Sequence, residues 1–170
     1  RGLVGSEMCI ETVLAAIALP QYQSYIASSQ ISRVMSETGG QKGAVEECIN
    51  RGITTTGPGG CEGTARASDL LADGGNLMEG GAPPAGSGVP VLAFGPGNTA
   101  TLTATFGNGS TMVAHGSTLV WSRDGSGTWT CTTNDQQGVA PPVVSEFRAG
   151  CLQRTNSPLF PPTSPSVARR

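Results

Sequence analysis

Residues 13 to 37, VLAAIALPQYQSYIASSQISRVMSE, constrain the fold more than any other stretch of the chain. Val13, Leu14, Ala15, Ala16, Ile17, Ala18 and Leu19 form an unbroken apolar run that ends at Pro20. Beyond Pro20 the pattern becomes one-sided and carries Tyr22 and Tyr25. A helix that is apolar all round at one end and one-faced at the other needs two environments. The first end needs lipid or the middle of a helical bundle, and the second needs a globular domain along one side. Such a helix points to assembly rather than catalysis. The apolar run by itself is short for a membrane span, which takes about 20 residues.

The spacing predicts one long helix from Val13 to about Gly52. Tyr22, Ile26, Val34, Val45 and Ile49 keep an i, i+4 rhythm with a gap at Gln30. Pro20 removes a backbone hydrogen bond and is expected to bend the helix. Gly39-Gly40 is a second weak point, at about 1 kcal/mol per glycine relative to alanine. Glu46 and Glu47 sit near the C-terminal end, where carboxylates are mildly unfavourable and Arg51 offsets them. Gly52 suits the position after the last turn. Residues 1 to 12, RGLVGSEMCIET, show no helical stripe and no signal-peptide pattern. They read as non-native sequence, which leaves Cys9 without a role and places the native N-terminus elsewhere.

Residues 53 to 89 are rich in Gly, Pro and Thr and form a long connection, with one helical turn predicted at Ser68–Ala72 capped by Ser68. Connections of this length in compact domains are functional or pinned down. Strand patterns follow at Val89–Phe94, Ala100–Phe106, Met112–Trp121, with an interruption expected near His115-Gly116, and Thr128–Thr133. Gly107-Asn108-Gly109 and Asp124-Gly125-Ser126-Gly127 read as hairpin turns. A long helix followed by a regular meander predicts an α+β fold, the helix packed on a four-stranded antiparallel sheet with one face to the helix and the other to solvent. The stretch between Cys131 and Cys151 has a Pro pair and a short returning segment at Val143–Phe147. Residues 152 to 170 are Ser/Thr/Pro-rich and predicted to be disordered. The chain thus divides at 1–12, 13–52, 53–89, 90–151 (including the 131–151 loop) and 152–170.

Composition excludes several classes. The net charge is −2 and only 13% of the 170 residues are charged, so a surface that binds nucleic acid through bulk positive charge is not expected. With 25 glycines, folding costs much backbone entropy, and cross-links would offset part of it. Five cysteines are present and none shows CxxC spacing; with His115 the only histidine, a zinc site is not expected. Disulfides in an oxidising compartment fit better. Four paired cysteines allow three connectivities. The local pairs Cys48–Cys61 and Cys131–Cys151 are favoured, and a closed loop of about 20 residues would contribute roughly 3 kcal/mol.

Catalytic signatures are missing from the sequence. His115 has no nucleophile motif beside it and reads as a surface or strand histidine. Arg123 and Asp124 fall in a hairpin and read as solvated. Gly57-Pro58-Gly59-Gly60 lacks the lysine and the strand–helix context of a phosphate loop. No acid–base pair stands at a readable spacing, and neither enzyme activity nor a cofactor is expected.

LAAIALPQYQSYIASSQ resembles the N-terminal helix of type IVa pilins, the subunits of bacterial retractable pili. An independent C-terminal similarity lies in Gly127-Thr128-Trp129-Thr130-Cys131 and in Phe147 followed by Gly150-Cys151. SRVMSETGGQKGAVEECINRG between them is also similar to a major pilin, including a cysteine at the helix end and a second in the following loop. The resemblance covers roughly residues 13 to 151. The family's cleavage site, N-methylated Phe and nearby acidic residue have no counterpart here, so processing, methylation and the acidic register contact transfer to no residue of this chain.

The resemblance implies a type IV pilin fold. It implies a subunit held in the inner membrane before assembly and then polymerised into an extracellular filament. Residues Val13–Pro20 with Tyr22 and Tyr25 would form the filament-core or membrane helix. The partners implied are other subunits, the inner-membrane assembly machinery, and host or abiotic surface receptors, the last facing the Cys131–Cys151 loop. Filaments of the family serve adhesion, twitching motility and DNA uptake. Some relatives carry O-glycans near the C-terminus, which makes Thr163, Ser164 and Ser166 candidate sites. A minor pilin or secretion pseudopilin is the alternative, and a secreted carbohydrate- or surface-binding domain is the alternative of another class.

Overall fold

The computed structural model describes residues 4–112, 114–134 and 151, and side chains from residue 22 onward. Two helices, α1 (Val4–Gly40) and α2 (Lys42–Asn50), are separated only by Gln41. They correct the single predicted helix in two respects. The helix begins at Val4, so residues 4–12 are helical although their pattern lacks a stripe. It is interrupted at Gln41, directly after the Gly39-Gly40 weak point. There the Gln41 amide donates to the Thr38 carbonyl at 3.2 Å in a tight turn, and the ladder resumes with the Val45 amide on the Gln41 carbonyl at 3.1 Å. Pro20 does not end α1. The end of α2 closes with the Gly52 amide on Ile49 O and the Ile53 amide on Cys48 O, both at 2.9 Å. That arrangement needs a left-handed residue, and Gly52 supplies it at φ +75°.

The helices lie on one face of a four-stranded antiparallel sheet in the order β1 (Val91–Phe94), β2 (Ala100–Thr105), β3 (Thr118–Arg123), β4 (Trp129–Asn134). Leu92, Leu102, Trp121 and Cys131 are consecutive cross-strand partners and run across the inner face. Ala27, Ile31, Val34 and Met35 of α1 pack with Leu70, Leu71, Ala104, Phe106, Leu119 and Cys151. Val45, Cys48 and Ile49 of α2 pack with Leu77, Leu92, Leu102, Trp121 and Trp129. Each large side chain buried this way contributes about 1.5–3 kcal/mol. The buried stripe differs from the predicted one in its first half: Ala27 and Ile31 face the core, whereas Tyr22 is exposed and Ile26 only half-buried. A strict i, i+4 step drifts around a helix of 3.6 residues per turn, and alternating steps of four and three hold the face.

The outer sheet face follows from the same alternation. Its rows are Ala93–Thr101–Ser122–Thr130 and Val91–Thr103–Val120–Thr132, with Thr105, Thr118 and Asn134 below. None of these residues is charged.

The connections are more ordered than their composition suggests. A single turn does form at Ser68–Leu71, with the Leu71 amide on Ser68 O at 3.4 Å and the Leu70 amide on Ser68 Oγ at 3.3 Å, and it is held in place where Ser68 bridges Gly88 and Leu71 bridges Phe106. The Ala72 amide donates to Thr105 O at 2.9 Å, and the Gly107 amide to Leu70 O at 3.0 Å. Asn76 mimics a peptide group along the open edge of β1: its Nδ2 donates to Leu92 O at 2.8 Å, and its Oδ1 accepts from the Leu92 amide at 2.6 Å. The predicted tight turn at Gly107–Gly109 is only the first half of a longer connection, and β3 starts at Thr118 rather than Met112. The reason is that this connection docks on α1. The Thr111 amide donates to Gln30 Oε1 at 3.0 Å, and Ala114 is fully buried. Gln30, the gap in the apolar rhythm, is therefore a polar contact to the sheet domain. The segment Val143–Phe147 lies outside the described residues.

Close backbone approach leaves no room for a side chain at Gly88. A Cβ at Gly88 would stand 1.8 Å from Ala72 O, whereas one at Gly39 would stand 3.7 Å from the Trp121 ring, an ordinary contact. In urea unfolding, Gly88→Ala is expected to destabilise the protein by about 1–3 kcal/mol. Gly39→Ala is expected to be neutral or stabilising by up to about 1 kcal/mol.

Candidate assembly site

Among the described side chains, α1 enters the domain core at Ala27. Before that point Tyr22 and Tyr25 stand 65% and 71% exposed, two of the four large apolar side chains exposed among the described residues. With Ser29, Ser32 and Ser36 they form an exposed stripe along the side of α1 away from the sheet. Val13, Leu14, Ala15, Ala16, Ile17, Ala18, Leu19 and Pro20 belong to the backbone of α1, and their side chains lie outside the described part. No described helix is long and apolar enough to cross a membrane. Two tyrosines on a solvent-facing helix side are amphipathic surfaces suited to a second protein chain or a headgroup layer.

Polar and covalent ties hold that helix to the sheet. Glu46 of α2 accepts from Arg123 Nε at 2.7 Å and Nη2 at 3.0 Å, and from Trp129 Nε1 at 2.7 Å. The two-pronged geometry matches guanidinium to carboxylate. Arg123 Nη1 also donates to Asn98 O at 2.6 Å and Asp124 O at 3.0 Å. The Arg123 side chain keeps 9% exposure, so the solvated reading of this residue is corrected. Its hydrogen bond to Glu46 raises the arginine pKa, and the same bond holds the Glu46 carboxyl below its ordinary value. Asp124 is exposed as predicted and organises the hairpin, accepting from Ser126 Oγ at 2.6 Å and the Thr128 amide at 2.8 Å. Those bonds, Ser126 first, lower its pKa. Lys42 Nζ stands 4.0 Å from the centroid of the buried Trp121 ring. Gln41 Oε1 takes the Thr64 amide at 3.0 Å and so fastens the long connection to the helix junction. Disulfides join Cys48 to Cys61 and Cys131 to Cys151. The first closes α2 onto the connection, and the second returns the C-terminal chain to β4 beside the α1 core.

A family model for pilin, a bacterial filament protein, matches residues 27–149. The chain belongs to the pilin family. Among curated relatives, a type IV major fimbrial protein FimA of Dichelobacter nodosus is 41% identical over 136 residues, 76% of this chain and 83% of the relative. A probable minor fimbrial protein of the same organism is 38% identical over 135 residues, covering 76% and 82%. Fimbrial protein Q of Moraxella bovis is 36% identical over 142 residues, covering 83% and 87%. The long helix on a four-stranded antiparallel sheet, with a disulfide in the C-terminal region, is the pilin fold.

The structure of this pilin brings Cys48, Cys61, Cys131 and Cys151 into the domain core and leaves Tyr22 and Tyr25 outside it. Thr163, Ser164 and Ser166 lie outside the described residues. Among the described residues no three His, Cys, Asp or Glu side chains group closely enough to hold a metal ion. Sequence reasoning missed Glu46, Gln30, Gln41 and Asn76 as ties. A signal for the first existed: Arg123 has the same strand parity as Leu119 and Trp121, so it must point inward and needs a carboxylate there.

Glu46→Gln is expected to cost about 2 kcal/mol near neutral pH, the worth of hydrogen bonds to a charged group. Because the folded-state pKa is depressed, this contribution is complete above the ordinary glutamate value of about 4.3 and fades as pH falls through the folded-state value. Unfolding curves of the two proteins should therefore converge in acid; a gap that stays constant contradicts the assignment. Peptide mapping without reductant should recover Cys48 linked to Cys61 and Cys131 linked to Cys151, and Cys48→Ser/Cys61→Ser should lose about 3 kcal/mol. A Cys48–Cys131 link contradicts the scheme.

Proposed function

We propose that this pilin is a structural subunit of a type IV pilus and polymerises through the N-terminal half of α1. The observation that carries the proposal is the division of labour along one helix. From Ala27 onward α1 is committed to its own domain, while the segment before Ala27, roughly 35 Å of helix at about 1.5 Å per residue, has Tyr22 and Tyr25 facing outward. In the filament, Val13–Pro20, Tyr22 and Tyr25 pack against equivalent helices of neighbouring subunits and the sheet domains form the exterior. Burial of apolar area, at about 25 cal/mol per Å², drives association. Before assembly the same helix rests in the inner membrane, where the assembly machinery takes it up. The Cys131–Cys151 loop is then available to surface receptors, in keeping with the adhesion and motility typical of the family.

Relatives named as major and as minor fimbrial proteins match at similar identity, so quantity in the filament separates these two roles. In filaments sheared from cells carrying the complete gene, this subunit should be the predominant protein. A trace amount makes it a minor pilin. Ile17→Asp, which sets a carboxylate in the helix bundle, should abolish filaments while leaving the unfolding temperature of the sheet domain unchanged. Normal filaments from that variant contradict assembly through this helix and favour a monomeric surface-binding domain.

A further inference from the structure

A cavity of about 210 Å³ lies where the helix junction meets the long connection, and its walls include Glu37, Gln41, Ala65, Arg66, Leu71 and Pro90. We propose that it binds a free aliphatic amino acid as the zwitterion. The site lies within one subunit, so the proposal stands apart from the assembly reading above.

The helix supplies one wall. Arg33, Glu37 and Gln41 follow at steps of four and share one helix side. Arg33 Nε donates to Glu37 Oε1 at 2.8 Å, which holds that carboxylate in place, and no bond among the described residues engages Oε2. Gln41 keeps only 9% exposure. Its Oε1 accepts from the Thr64 amide at 3.0 Å and lies 3.4 Å from Thr64 Oγ1. A backbone amide can only donate, so the orientation of the Gln41 side chain is fixed, and its Nε2 is left without a partner among the described residues. A buried donor in that state costs free energy unless something in the cavity accepts from it.

The connection supplies the other wall. Its backbone is fastened on both sides of Arg66: the Ala65 amide donates to Leu77 O at 3.3 Å and the Ser68 amide to Gly88 O at 2.9 Å. Arg66 makes no ion pair among the described residues, with Glu37 or with any other carboxylate. One cavity therefore carries a guanidinium and a carboxylate that do not neutralise each other, beside an unpartnered amide. Leu71 and Pro90, both buried, and Ala65 make the rest of it apolar.

A zwitterionic amino acid matches each of these features. Its carboxylate accepts from Arg66 and Gln41 Nε2, its ammonium donates to Glu37 Oε2, and an aliphatic side chain covers Leu71 and Pro90. Other ligand classes fit less well. No aromatic ring stands among the described lining residues for a sugar or a base to stack on. One guanidinium with a carboxylate beside it is a poor phosphate site. The volume falls below the roughly 300–1,000 Å³ of drug-sized sites, which restricts the ligand to a small molecule. Because Gln41 and the connection are tied before the ligand arrives, binding has little ordering left to do.

The test titrates the complete subunit, held in maltoside micelles, with L-leucine, leucinamide, 4-methylpentanoate and glycine. Calorimetry gives the affinity, and NMR of the Gln41 side-chain amide reports the place. L-leucine should bind with a Kd of about 1 mM or tighter, within reach of a ligand this small, and should shift the Gln41 signals. Leucinamide lacks the carboxylate, 4-methylpentanoate the ammonium and glycine the side chain, and each should bind about tenfold more weakly or worse. Arg66→Gln, at an exposed position, should weaken leucine by about tenfold. Gln41→Glu keeps an oxygen for Thr64 but sets a carboxylate against that of the ligand, and should abolish binding. Thr103→Val, on the opposite face of the sheet, should bind as wild type does. Unmoved Gln41 signals at about ten times the expected Kd overturn the proposal. So does 4-methylpentanoate binding as tightly as leucine, since the cavity is then a plain carboxylate site. Unweakened binding to Arg66→Gln also overturns it, even where Gln41→Glu fails to fold. Filaments that assemble from a subunit binding no amino acid leave the subunit reading standing while this proposal falls.

Discussion

The structure depends on one contact: the apolar stripe of two consecutive helices laid along the inner face of a four-stranded sheet. Ile31, Val34 and Met35 meet Leu71, Phe106 and Leu119 at one end, and Val45 and Ile49 meet Leu102 and Trp121 at the other. Without this contact the sheet would expose its whole inner row to water, and the long connection would have nothing to lie against. Gln41 falls at the junction of the two halves, where its side chain binds Thr64 and its backbone turns the helix.

Polar ties then fix the orientation that apolar packing alone leaves adjustable. Glu46 draws Arg123 and Trp129 from adjacent strands to one carboxylate, so α2 cannot slide along the sheet without breaking three hydrogen bonds. Gln30 does the same for the β2–β3 connection and Asn76 for the edge of β1. Covering that edge matters for a protein that polymerises, because an open strand invites pairing with the wrong chain. The two disulfides act at the ends of the connections, where backbone entropy is greatest.

Much of this was legible in the sequence. Alternation in TLTATF was legible as a strand with one face inward, because a period of two leaves one choice of inward set. The long helix followed from its apolar rhythm, and the family resemblance from the residues at both ends of the chain. Less legible was the phase of the stripe before Val34, where Ala27 and Tyr22 exchange roles: alanine is a weak apolar signal and tyrosine a strong one. The ties made by Gln30, Gln41, Glu46 and Asn76 were hidden because each links residues far apart in sequence. The order within residues 53–89 was hidden for another reason. It comes from backbone bonds at Ser68, Ala72, Gly74 and Gly88, which leave no side-chain pattern to read.

A helix whose one side belongs to its own domain and whose other side presents Tyr22 and Tyr25 is only half used in a single subunit. In the assembly proposed above the other half is used in the filament, and hydroxyl-radical footprinting of those two tyrosines tests this directly. In the free subunit both should be oxidised readily, as their exposure requires. In assembled filaments both should be protected, while Met112, 91% exposed on the β2–β3 connection, serves as a reference in the same digest. Equal oxidation of the tyrosines in subunit and filament would contradict polymerisation through this helix.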